Sequence, residues 1–136
     1  MKDMERRNVI EEQRDLLERN SFGNYNGVEV TYADGFRAEG HLDLTDKSMN
    51  PYGICHGGAY FVLADVTGGV AARSNGQRYV TQQSNVNFIY GVKGGRINCT
   101  AEVVSRGRHI CIVDVRITDA EGRLAFTGTF DYFCLD

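Results

Sequence analysis

Two features of the chain place chemically capable residues close together. His56-Gly57-Gly58 opens a long apolar run, and Asp65 is the one charged residue between Gly57 and Ala72. Two glycines at the start of a helix leave backbone N–H groups open to a ligand carbonyl or anion, because the first N–H groups of a helix have no partner within it. An ionised carboxylate among apolar side chains costs several kcal/mol unless it is paired or partly wet. No Lys, Arg or His lies three or four residues from Asp65 on the same helix. Together they suggest an N–H donor for a developing oxyanion and a carboxylate able to act as base or nucleophile. The plainer reading of Asp65 is a structural carboxylate paired across an interface.

The elements that must hold these groups follow from periodicity. Tyr60, Phe61, Val62, Leu63, Val66, Val70 and the alanines cover every side of a helical wheel, which predicts a helix over about 57–73 that other elements enclose. Before it, Val28–Tyr32 and Phe36–Thr45 alternate as strands. After it come four more strand patterns, over Arg78–Tyr90, Ile97–Val103, Cys111–Ile117 and Leu124–Tyr132, read as an antiparallel meander. Thr81-Gln-Gln-Ser-Asn85 is polar on both faces of its strand, so something polar should lie beside it. Met4, Ile10, Leu16 and Leu17 predict an outer helix over 3–20, followed by a loop from Asn20 to Gly27. The expected organisation is a single domain, 1–136, in which residues 1–22 form the N-terminal helix and linker. The fold class is α+β, one curved antiparallel sheet around one helix.

Composition narrows the function. The chain has 136 residues and a formal net charge of −3, from 15 Lys+Arg and 18 Asp+Glu, which argues against nucleic acid or an acidic membrane surface as partner. No apolar run has the length of a membrane span, and the charged N-terminus is unlike a secretory signal, so a cytoplasmic protein is expected. Cys55, Cys99, Cys111 and Cys134 form no CxxC pair and are read as reduced, packed thiols. Cys55 beside His56 is a poor nucleophile pair, since adjacent side chains project differently and no orienting acid is evident.

Asn50-Pro-Tyr-Gly-Ile-Cys-His-Gly-Gly58, Asp65 and Val80-Thr-Gln-Gln-Ser-Asn-Val-Asn-Phe88 resemble the hot-dog-fold acyl-CoA thioesterases of the phenylacetic-acid-degradation type. The likeness runs from about residue 27 to the C-terminus. It departs at Phe88-Ile-Tyr-Gly91, where many relatives have a proline. The resemblance implies hydrolysis of an aromatic or short- to medium-chain acyl-CoA to free acid and coenzyme A, with no metal or redox cofactor and coenzyme A only as part of the substrate. It implies that Gly57 N–H polarises the carbonyl, Asp65 is base or nucleophile, Asn50 aids the carbonyl or the water, His56 braces the turn and Thr81 orients the water. Lys93, Arg96, Arg106 and Arg108 could meet the phosphates of coenzyme A, although solvated turns are the commoner fate of such residues.

Gly57 and Asp65 are eight residues apart, about 12 Å along a helix axis, too far for both to serve one thioester within one chain. A two-fold dimer with antiparallel helices would join Gly57 of one subunit to Asp65 of the other. The resemblance implies the same shared site, often in a dimer of dimers. Competing readings are an acyl-CoA-binding module that does not cleave, and a dehydratase or hydratase using His56 as acid or base.

Overall fold

The apolar run that begins at Gly57 forms one helix. The structure, a computed structural model, describes residues 6–136, and in it this helix (α3) spans Gly57–Arg73. It ends where Ser74 N–H caps Val70 O and Gly76 takes a left-handed φ of 96°. Six strands surround it: β1 (Val28–Ala33), β2 (Arg37–Asp43), β3 (Tyr79–Phe88), β4 (Arg96–Arg106), β5 (Ile110–Thr118) and β6 (Leu124–Cys134). They form one antiparallel sheet in the order β1-β2-β4-β5-β6-β3, and α3 packs against every one of them. This is the hot-dog architecture, and it answers the demand of a helix with no polar face.

Leu42, Leu63, Val70, Ile97, Val113, Ile117, Phe126 and Phe130 fill the space between helix and sheet. Small residues set the spacing. A Cβ on Gly40 of β2 would stand 2.7 Å from Thr67 Oγ1 and 2.9 Å from Glu29 O, so only glycine lets the helix approach the sheet there. All four cysteines are free and buried.

Three sequence expectations need correction. The meander holds for β4-β5-β6, but β3 crosses to the far edge and pairs with β6, Thr81 facing Tyr132 and Phe88 facing Phe126. Alternation reports which face of a strand is buried, not which strand lies beside it. The outer helix is also shorter than its spacing predicts. Residues 3–5 of that expectation lie outside the described residues, and Asn8 and Val9 bond to β1 instead, through Ala33 N–H on Asn8 Oδ1 (3.2 Å) and Val9 N–H on Ala33 O (2.6 Å). A 3-10 turn, Ile10–Gln13, leads into α1 (Arg14–Glu18). The segment expected to be loop contains α2 (Ser21–Tyr25), whose N-cap Asn20 accepts from Gly23 N–H at 3.0 Å.

The two edges of the sheet are finished differently. Residues 8–9 cover the end of β1, whereas among the described residues β3 has no strand on its outer side, and it exposes Val80 and Phe88. Among the described residues, no helix is long and apolar enough to cross a membrane.

Candidate active site

The donor end of α3 is built by residues close in the chain. Asn50 Oδ1 accepts from Tyr52 N–H (2.9 Å) and Ile54 N–H (3.3 Å), and Gly53 N–H returns to Asn50 O with Gly53 at φ 78°. This turn is anchored by His56 N–H on Ser48 O (2.8 Å) and Cys55 N–H on Val92 O (2.7 Å). His56 is the N-cap of α3, its Nδ1 accepting from Gly58 N–H at 2.8 Å. Gly57 N–H, at the positive end of the helix, has no acceptor among the described residues. The Asn50 amide nitrogen likewise donates to none of them. The arrangement therefore offers an unspent backbone donor beside an unspent carboxamide donor.

Beside Gly57 opens a cleft of about 320 Å³ whose walls include Asn50, Ile54, Tyr60 and Phe88. Tyr60 and Phe88 form its aromatic side and pack on the buried Phe126, with ring centroids 5.4–6.3 Å apart. The Tyr60 hydroxyl donates to Tyr90 O (2.7 Å) and accepts from Val92 N–H (3.1 Å), pinning the loop between β3 and β4 to the helix. Burial pushes the Tyr60 phenol up to about 12 and the Cys55 thiol up to about 11, so Cys55 stays a protonated, packed thiol. With His56 Nδ1 committed to the cap, no Cys-His nucleophile exists here.

Two turns further along the helix, Asp65 is half-buried, and Thr81 Oγ1 donates to its Oδ1 at 2.6 Å. Thr81 sits beside a bulge: between Thr81 and Gln83 the pairing of β3 with β6 gains a residue. The buried Tyr132 hydroxyl donates to Asp65 O at 2.9 Å, with Oδ1 3.4 Å away. Burial raises the Tyr132 phenol well above its ordinary value, and the neighbouring Asp65 charge adds to this. A Cβ on Gly68 would collide with the Tyr132 hydroxyl, so the glycine makes room for that bond.

The five residues singled out by sequence thus fall into two groups. Asn50, His56 and Gly57 meet at the start of α3, and Asp65 and Thr81 meet beside β3. The chain brings neither group to the other. Tyr132 and Gly68 were missed; the signal for them was a tyrosine on the inward face of its strand, since a buried hydroxyl must find a partner.

Comparison with known proteins identifies the family. The family model of the thioesterase superfamily matches residues 52–126. The chain belongs to this superfamily and is a thioester hydrolase. It is 26% identical over 101 residues to a 1,4-dihydroxy-2-naphthoyl-CoA hydrolase of Listeria monocytogenes, covering 72% of this chain and 82% of that one. A hypothetical thioesterase of Streptococcus pneumoniae solved with coenzyme A is 30% identical, superposes with a TM-score of 0.81, and covers 90% of this chain and 95% of its own. The E. coli PaaI protein of the phenylacetic acid degradation operon shares the fold, with a TM-score of 0.89 at 20% identity and 93% of each chain covered. Structures of the Streptococcus pneumoniae protein also exist with an aspartate or a threonine changed to alanine, two positions as far apart as Asp65 and Thr81 here.

Proposed function

We propose that the protein hydrolyses an acyl-CoA thioester in a site shared by two subunits, with Asp65 of one chain acting on a carbonyl polarised by Gly57 N–H of the other. Asp65 takes a proton from water as the water oxygen bonds to the thioester carbon. The carbonyl oxygen becomes anionic against Gly57 N–H and the Asn50 amide. Collapse of the intermediate breaks the C–S bond, and the coenzyme A thiolate leaves and regains a proton. Thr81 aims the carboxylate, and His56 holds the helix start in place rather than moving protons. Direct attack by Asp65 on the carbonyl is the alternative route through the same carboxylate. No metal or redox cofactor enters either route.

The observation that carries this reading is the separation within one chain of an unspent N–H donor and a half-buried carboxylate. The open edge at β3 supports a second copy beside it, because an unpaired strand that shows Val80 and Phe88 is a template for pairing. Coenzyme A as the thiol is supported by its presence in the Streptococcus pneumoniae structure. A homodimer is therefore the expected minimum assembly, with a dimer of dimers as its extension.

Complementation tests the shared site. Asp65→Ala lacks the carboxylate and Gly57→Pro lacks the N–H; proline suits the first helical position, and His56 already has an extended ψ of 140°. Each variant alone should be nearly inactive. Refolded together they should regain activity, up to about half of wild type per mixed dimer, because one of the two sites inherits neither defect. Mixed dimers that form and release no free thiol would rule the shared site out.

A further inference from the structure

Two arginines meet the C-terminal end of α3, and their hydrogen bonds differ. Arg106 is spent: its Nη1 donates to Ala72 O (2.7 Å) and the Tyr79 hydroxyl (3.0 Å), and its Nη2 donates to Gly35 O (2.6 Å). Arg73 is held by one side-chain bond, Nε to Gln13 Oε1 at 3.0 Å, and Gln13 donates back to Arg73 O at 3.3 Å. Gln13 is itself buried, 5% exposed. Among the described residues no carboxylate lies within 4 Å of Arg73, and neither Nη has an acceptor.

A basic residue at a helix C-terminus ordinarily serves the last carbonyls. That work is done here by others. Ser74 Oγ donates to Ala71 O, Arg106 to Ala72 O, and Gln13 and Gly76 N–H to Arg73 O. Nor does the Arg73 head extend past the helix end. It folds back, so that a Cβ on Gly69 would stand 3.4 Å from Nη1 and 3.6 Å from the Tyr132 ring. Gly69 lies one turn beyond Asp65, about 6 Å along the axis, on the same side of α3. Tyr132 is the residue whose hydroxyl holds Asp65.

Burial lowers the guanidinium below its ordinary value, opposed by Tyr132 and Asp65. A half-buried cation with its terminal N–H groups unspent, positioned by a buried glutamine, is complementary to a planar anion that it can grip with two parallel bonds.

We propose that Arg73 is the acyl-tail subsite and reads a carboxylate at the far end of the acyl group, so that the preferred substrates are coenzyme A thioesters of short dicarboxylic acids. The proposal rests on the hydrolytic reading of Asp65, which fixes where the thioester sits. The helical turn between Asp65 and the guanidinium suits a diacid of about four to six carbons.

Matched pairs test this: glutaryl-CoA against pentanoyl-CoA, and adipoyl-CoA against hexanoyl-CoA, with the uncatalysed rate subtracted. The wild-type enzyme should favour the carboxylated member of at least one pair by about tenfold or more in kcat/KM. Arg73→Met should bring that ratio to about one, and Arg73→Lys should keep part of it. A wild-type ratio at or below one in both pairs overturns the proposal, and this reading needs no variant to fold. A ratio that Arg73→Met leaves intact overturns it as well. Calorimetric binding to Asp65→Asn separates the two levels of inference. Tighter binding of the carboxylated thioester, without turnover of any thioester by wild type, removes the hydrolytic reading and keeps the subsite. Turnover without a carboxylate preference does the reverse.

Discussion

The donor half of the site and the acid half stand on one helix but are built in different ways. The donor half is folded by its own neighbours: the bonds that shape Asn50–Gly58 span at most the eight residues from Ser48 to His56, apart from the anchor to Val92. The acid half is assembled from remote segments, Thr81 reaching Asp65 from 16 residues away and Tyr132 from 67. Local turns and caps can form before the sheet closes, whereas the setting of Asp65 exists only once β3, β6 and α3 are in register. Damage to the acid half should therefore cost chemistry first, and damage to the cap and turn that hold the Gly57 donor should show first as lost local stability.

The largest effect expected is at Asp65. Asp65→Asn keeps the shape of the side chain and should lower kcat by on the order of 10² or more with an unchanged circular dichroism spectrum. Hydrolysis close to wild type would move the role to another residue. Thr81→Val removes the donor to an ionised carboxylate and should lower kcat roughly tenfold with little change in KM.

A titration weakens both halves together. Burial holds the protons of Cys55 and Tyr60, on the donor side, up to about 11 and about 12, and raises Tyr132 on the acid side. The unfolded chain gives these protons up nearer 9.0 and 10.0. Stability from these groups is therefore complete below about pH 9 and drains away as pH rises towards 12. The thermal midpoint, followed from pH 8 to pH 11, should be level at first and then fall. The smallest effect sharpens the contrast. His56→Ala loses the N-cap and about 1 kcal/mol of stability, visible in urea unfolding, while kcat changes a few-fold at most and its pH profile keeps its shape. A lost limb in that profile would make His56 a proton carrier.

This division also decides what the sequence made legible. The start and end of α3 could be read because a helix apolar on every side has one environment open to it and because Gly57 and Ser74-Asn75-Gly76 punctuate it. Asn50, His56 and Gly57 could be placed together because they are neighbours. Thr81 was singled out by the family resemblance, in a stretch whose two polar faces said only that something polar lay beside it; its bond to Asp65 depends on β3 lying next to β6, which no pattern within β3 encodes. Tyr132 was read only as one inward residue of a strand. Arg73 was not singled out, because its distinction is that other groups have taken the carbonyls it would otherwise serve. At the N-terminus the apolar spacing was overridden by the pairing of Val9 with Ala33, since an available strand edge satisfies backbone groups as well as a helical turn does.

The Tyr60 hydroxyl, at once donor to Tyr90 O and acceptor from Val92 N–H, governs how quickly the aromatic cleft can change shape. Loops usually exchange their amide hydrogens quickly, because they open without disturbing what lies beneath them. This loop is fastened to a ring that is 2% exposed and packed on Phe126, so Val92 N–H can exchange with solvent only when the core side of α3 loosens. Its protection should resemble that of the helix rather than that of a surface connection. The wall beside Gly57 should then behave as fixed on the timescale of a turnover, and a group too bulky for the cleft should be turned away instead of being admitted slowly.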